Sequence, residues 1–231
     1  MRTVAIMQPT FFPWQGYFGL MEASSVFVFL DSVQFDKRGW QRRNRVKTPQ
    51  GPIWLTLPVY SKGRRDQKIC DVEVDHSADA ISGIIRTITY NYKKAKYFSK
   101  YSEDIFLILE KRHEKLCDVN VELIQYFKES LGIRCQIVKS SDLEPKGAKA
   151  DLLADLCKKL AADVYLSPAG SKDYMDASDA FHLNSIEVRY NPFQPVEYPQ
   201  LWGKFEPLLS ILDLLFNVGP ESLDCIRRGM R

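Results

Sequence analysis

The sequence predicts an α/β protein: a Rossmann-like parallel sheet of about five strands flanked by helices, with an inserted β-hairpin after the second strand and C-terminal helices. Three observations lead there. Short apolar runs recur along the chain, each stopped by Gly, Pro or a polar cluster and each too short for a buried helix. Between them lie longer segments whose apolar residues fall at helical spacing. The densest polar and aromatic stretches follow the runs, where the binding loops of an open parallel sheet belong. The 231 residues suit a single domain, 1–231, with enough apolar content for a sizeable core.

Taken in order, residues 3–8 form an apolar run that Gln8 and Pro9 stop, which reads as a buried strand. Residues 16–24 carry Phe18, Leu20 and Met21 and read as a short helix, and the Val- and Phe-rich run 26–30, ending at Asp31, reads as the second strand. Strand, loop, helix and strand together predict a right-handed parallel crossover. A polar, basic loop follows over residues 31–47. The alternating segment 53–59 pairs with 43–47 across a turn at 48–51, and residues 70–74 alternate again after a polar loop at 61–67. Residues 36–75 are therefore an insertion whose hairpin flanks the site. Helical spacing marks 81–92, 99–111 and 120–131, the last stopped by Gly132. Residues 134–138 form a strand, 140–142 a loop, and 149–162 a helix with Leu152, Leu153, Leu156 and Leu160 on one face. Strands at 164–166 and 186–190 flank a glycine-containing loop at 167–176, and helices at 208–216 and 221–228 close the chain. The first of these last two is apolar almost all round apart from Ser210 and Asp213. It needs a buried place, in the core or at a homodimer contact, and Asp213 needs a hydrogen-bond partner.

Charge is nearly balanced, with 32 Lys and Arg against 29 Asp and Glu and a formal net charge of +3. The balance argues against nucleic acid as the partner and shifts attention to where the cations cluster. The five cysteines are far apart and without a C-x-x-C pair, which suits buried reduced thiols rather than disulfides or a zinc site. The N-terminal apolar run is too short for a signal peptide and no stretch approaches a membrane span, so a soluble, cytoplasmic protein is expected.

The strand-end rule collects the candidate site from the residues after each strand. In the first loop these are Gln8, Pro9, Trp14, Gly16 and Tyr17. Gly16 at a helix start lets backbone approach a ligand, and the free N–H groups there favour an anion. Its aromatics read equally as site floor or as core. The second loop offers Asp31 and Gln34 at the strand exit, then Lys37, Trp40, Arg43, Asn44, Arg45 and Lys47. Arginines among aromatics suit a phosphorylated or carboxylated small molecule such as a sugar nucleotide, single-stranded nucleic acid, or nothing more than a solvated basic hairpin. The third loop offers Ser167, Gly170, Ser171, Lys172, Asp173 and Tyr174, with Asp173 and Asp176 placed to cap a helix or to act as acid and base, and Gln200 joins from the last loop. Asp31 and Asp173 are the candidate catalytic carboxylates. No histidine lies near these loops and no Walker motif is present, so histidine triads, histidine metal sites and a P-loop are not expected, and no metal ligands are assigned.

Six segments in order carry a family resemblance: Q-P-T-F-F-P-W-Q-G-Y-F from Gln8, L-D-S-V-Q-F-D-K-R-G-W-Q-R-R-N-R-V-K from Leu30, W-L-T-L-P-V from Trp54, N-Y-K-K-A-K-Y-F from Asn91, Y-L-S-P-A-G-S-K-D-Y from Tyr165, and F-E-P-L-L-S-I-L-D-L-L-F-N-V-G from Phe205. Over nearly its whole length the chain resembles the WbqC-like proteins of bacteria. The resemblance implies a link to O-antigen and surface-polysaccharide gene clusters and a glycyl or other aminoacyl transferase role. A second likeness is to the adenylylating enzymes that include pantothenate synthetase, whose first strand enters an H-x-G-H loop. Here Trp14-Gln15-Gly16-Tyr17 keeps the glycine and lacks both histidines, and no K-M-S-K-S loop follows the last strand. That likeness supports the sheet topology and leaves ATP open as a cofactor. The expectation is a transferase attaching an acyl or aminoacyl group to an amino-sugar nucleotide, with a non-catalytic nucleotide- or glycan-binding module as the alternative.

Overall fold

Val26–Phe29 is buried at every position, and so are Val4, Ala5 and Ile6; strands covered on both faces must lie inside a sheet. The computed structural model describes residues 1–77, 79–171 and 179–230, and there these runs are the centre of a five-stranded sheet. Its order is β5-β2-β1-β6-β7, built from β1 (Thr3–Met7), β2 (Val26–Phe29), β5 (Gln136–Lys139), β6 (Val164–Pro168) and β7 (Glu187–Asn191). Every pairing is parallel, with Val4 opposite Val26 and Tyr165 in register. Period-two alternation splits these strands between two cores. Val4, Ile6, Val26 and Val28 pack with Leu156, Cys157 and Phe181 on one face. Ala5, Phe27 and Phe29 pack with Phe18, Phe127 and Phe216 on the other.

Helices cover both faces. α1 (Gln15–Glu22) joins β1 to β2, and α2 (Ala80–Tyr92), α3 (Phe98–Glu110) and α4 (Leu116–Leu131) lead to β5. α4 stops where Gly132 takes a left-handed φ of 74° that an L side chain resists. α5 (Lys149–Lys159) precedes β6, and the helices Ile211–Val218 and Ser222–Gly229 end the chain. Ile211–Val218 sits in the core, and Asp213 within it accepts hydrogen bonds from the hydroxyls of Tyr92 at 2.8 Å and Tyr198 at 2.9 Å. Among the described residues no helix is long and apolar enough to cross a membrane. The five cysteines are unpaired, four of them buried.

The insertion holds an antiparallel hairpin, β3 (Arg43–Thr48) with β4 (Gly51–Thr56), separate from the main sheet. Residues 70–74, expected as a further strand, are different: Ile69–Asp71 is a 3₁₀ turn, and Val74 and Glu73 make only single bridges, to Val59 and Lys115. Their alternation reflects Val72 and Val74 plugging the core, without a ladder partner.

Candidate functional site

The strand order sets where a ligand can enter. The chain runs from β1 outward through β2 to β5, then returns to the other side of β1 with β6 and β7, so the switch point lies between β1 and β6. A largely apolar cleft of about 660 Å³ opens there. Met7 and Gln8 at the end of β1, and Ser167 and Pro168 at the end of β6, form its floor. Trp14 from the first loop, Trp40 and Gln41 from the second, and Arg45 from β3 form its walls. The volume lies within the range that binds small molecules, roughly 300–1,000 Å³.

Two buried asparagines hold the walls. Asn120, on α4 and wholly buried, donates through Nδ2 to the backbone oxygens of Pro9 at 3.1 Å and Gln41 at 2.7 Å, tying both loops to one helix. Asn44 donates to the backbone oxygen of Phe12 at 2.7 Å and accepts from the Arg45 N–H at 2.8 Å. Phe12 has φ of 47°, a conformation costly for a bulky residue, and Asn44 fixes its carbonyl. On this frame Gln41 Nε2 donates to Gln8 Oε1, leaving Gln41 Oε1 buried and without a partner among the described residues. Arg45 Nε is also buried and unpartnered there, and none of the ion pairs among the described residues involves Arg45. The arrangement offers a cation, paired amides and indole rings: the equipment for holding an anionic ligand with a flat or apolar part.

The sequence model described as the WbqC-like protein family matches residues 8–225, from the end of β1 to the last helix. The chain belongs to the WbqC-like family. It is 39% identical over 229 residues to the uncharacterized protein Rv1507c of Mycobacterium tuberculosis, a match covering 98% of each chain. No solved structure matches it.

In this WbqC-like chain the cleft gathers Gln8, Trp14, Tyr17, Trp40, Asn44, Arg45 and Ser167 of the residues expected from sequence. Tyr17 contributes little chemistry. Its ring packs 5.1 Å from that of Phe27, and burial, helped by the neighbouring thiols of Cys117 and Cys135, pushes its hydroxyl pKa well up. Gly16 is small for a reason other than ligand approach: a Cβ there would meet Trp14 Cη2 at 2.2 Å, so the glycine makes room for the indole. Pro9 acts through its carbonyl, held by Asn120.

Asp31 stands apart. It terminates β2, on the β5 side of β1, and does not line the cleft. Its buried carboxylate accepts from Ser140 Oγ at 2.9 Å, Ser141 N–H at 2.9 Å and Ser141 Oγ at 2.7 Å, which pins the end of β5 to the end of β2. Gln34 is exposed and donates to the Arg65 carbonyl at 2.8 Å. Lys37 is exposed beyond the cleft, and Gly170 is exposed after β6. Arg43 points its guanidinium over Trp54 at 4.4 Å and donates to the Arg38 carbonyl at 2.6 Å. Lys47, buried, donates to Gln200 Oε1 at 2.8 Å and to the Lys204 carbonyl, so this pair locks the hairpin to the last loop. Asp173 and Tyr174 lie outside the described residues.

Sequence reasoning missed Asp36, Gln41 and Tyr165, all lining the cleft, whereas Ser171 of the third loop lines it as well. Gln41 was hidden by the basic run around it, and Asp36 by the stronger strand-end position of Asp31. Ser171 Oγ bonds to Ser167 Oγ and donates to the Pro168 carbonyl at 2.7 Å, so it shapes the end of β6.

Proposed function

We propose that the chain binds a sugar nucleotide in the cleft between β1 and β6 and joins an acyl group, such as a glycyl group, to an amine of that sugar, a step of surface-polysaccharide assembly in the cytoplasm. Arg45 carries the reading: a guanidinium lining a largely apolar cleft at the sheet's switch point, with no ion pair among the described residues. In the reaction the amine lone pair attacks the carbonyl carbon of an activated acyl donor. The C–N bond forms, the leaving group departs with its bonding electrons, and the amine proton passes to a carboxylate. Asp36 is the carboxylate lining the cleft among the described residues. One of its oxygens accepts from the Arg38 N–H at 2.9 Å, leaving the other for the proton. Asp173, close in sequence to Ser171, is the second candidate.

The test is incubation with a UDP-linked amino sugar and an acyl thioester, or with glycine and ATP, followed by mass spectrometry for the acylated sugar nucleotide. Product should form, and Asp36→Asn should slow turnover on the order of 100-fold with binding retained. Unchanged turnover would remove Asp36 from the reaction. A second reading, a non-catalytic module binding a nucleotide or anionic glycan, is supported by the replacement of both loop histidines of the adenylylating enzymes with Trp14 and Tyr17. Stabilisation by the sugar nucleotide with no product from either donor would favour it.

A further inference from the structure

Gln41 has a feature that the framework of the cleft does not use. Its side chain is only 3% exposed, it lines the cleft, and its Oε1 lacks a hydrogen-bond donor among the described residues. A buried acceptor left bare is costly, and a structure that keeps one beside a cavity has a place for a ligand's N–H. The neighbouring glycine belongs to the same arrangement, because a Cβ on Gly39 would meet Gln41 Oε1 at 2.1 Å. Beside this acceptor, Gln8 spends its Oε1 on Gln41 and has no acceptor for its Nε2 protons among the described residues. The pair therefore has one carbonyl acceptor and one N–H donor left unused. Trp40 follows Gly39, lines the same cleft and is 47% exposed, so its ring is within reach of an incoming molecule. It does not stand alone: Trp54 packs against it with centroids 5.2 Å apart, and Arg43 lies over Trp54 at 4.4 Å, which backs the indole with a fixed layer.

We propose that Gln41, Gln8 and Trp40 form a nucleobase subsite, in which a base stacks on Trp40, donates an N–H to Gln41 Oε1 and accepts from Gln8 Nε2. The heterocyclic edge of a nucleobase carries an N–H donor beside an acceptor, which a carboxylate, a phosphate or an aliphatic chain does not. The subsite rests on the nucleotide reading above and deepens it by fixing the ligand's orientation. With the base held by residues 39–41 and the phosphates drawn to Arg45, the sugar is left to reach toward Ser167 and Ser171 at the end of β6.

The experiment is a calorimetric titration of the full chain with four nucleoside diphosphates (UDP, CDP, ADP and GDP) and with inorganic pyrophosphate as the base-free probe. The proposal expects at least one nucleoside diphosphate to bind about tenfold or more tightly than pyrophosphate, the scale of one base on one aromatic ring. Gln41→Leu and Trp40→Ala should each remove most of that advantage and leave pyrophosphate affinity unchanged. Because Trp40 is half exposed, its variant keeps the core intact should Gln41→Leu unfold. Pyrophosphate binding as tightly as every nucleoside diphosphate, or Trp40→Ala retaining the full preference, overturns the subsite while the anion site survives. Binding of none of the five probes overturns the nucleotide reading together with the subsite.

Discussion

Replacing Asn120 with alanine should damage the site from beneath. Asn120 Nδ2 serves two buried carbonyls, Pro9 at 3.1 Å and Gln41 at 2.7 Å. Each loses its donor in the variant, at about 1–3 kcal/mol apiece. The loss is partly offset, because Asn120 Oδ1 is itself buried without a partner among the described residues and its removal returns roughly 1 kcal/mol. The net cost is about 3 kcal/mol, a substantial part of the roughly 5–15 kcal/mol that holds a domain together. Urea unfolding should show a lower midpoint with an unchanged slope, and the melting temperature should fall by about 6–12 °C for a chain of this size. Both freed carbonyls belong to cleft walls, so pyrophosphate and nucleotide affinity should also drop at temperatures where the variant is fully folded. A stability loss below about 0.5 kcal/mol, the range of an ordinary surface change, would refute the clamp.

Three further outcomes follow from the same geometry. Gly16→Ala should lower ligand affinity more than stability, since the added Cβ meets Trp14 2.2 Å away and must push its indole within the cleft; a crystal structure with Trp14 unmoved would contradict this. Burial raises the Asp213 carboxyl pKa, against the lowering effect of the Tyr92 and Tyr198 hydroxyls, Lys47 and Gln200. A folded value above the unfolded one gives stability that is complete below the unfolded value and is lost as pH rises through the folded one. Wild type should therefore gain on Asp213→Asn as pH falls from neutral through the carboxylate range, and urea midpoints showing a constant gap would count against the buried charge. Burial also pushes the thiols of Cys117 and Cys157 up to about 12 and that of Cys135 to about 11, so an aromatic disulfide reagent at mildly alkaline pH should modify them more than ~100-fold more slowly in the folded protein than in urea. Equal rates in both states would show that these thiols are not held inside.

The sheet was legible because its strands are short apolar runs with sharp stops: Gln8-Pro9 after β1, Asp31 after β2, and the Ser140-Ser141 pair after β5. Composition alone could not separate the alternation of 70–74 from a strand, since Val72 and Val74 face inward with or without a ladder. The site was half legible for a related reason. Strand ends pointed to both Gln8 and Asp31, but sequence does not say on which side of β1 the chain returns. Once β6 pairs with β1, the crevice lies at Gln8 and Ser167, and Asp31 is left on the far side holding Ser140 and Ser141. The basic run 37–47 likewise divides only in three dimensions. Arg45 enters the cleft, Arg43 lies over Trp54, and Lys47 turns inward to Gln200. The Asn120 clamp had no sequence signal, because its partners are backbone oxygens 79 and 111 residues away.

The most direct measurement is a crystal structure of the chain grown with a UDP-linked amino sugar. Ligand density is expected in the cleft between β1 and β6, with a phosphate on Arg45 and the base against Trp40, Gln8 and Gln41. Density on the β2–β5 side of β1, beside Asp31 and Ser140, or ligand bound with Arg45 and Trp40 untouched, would overturn that placement.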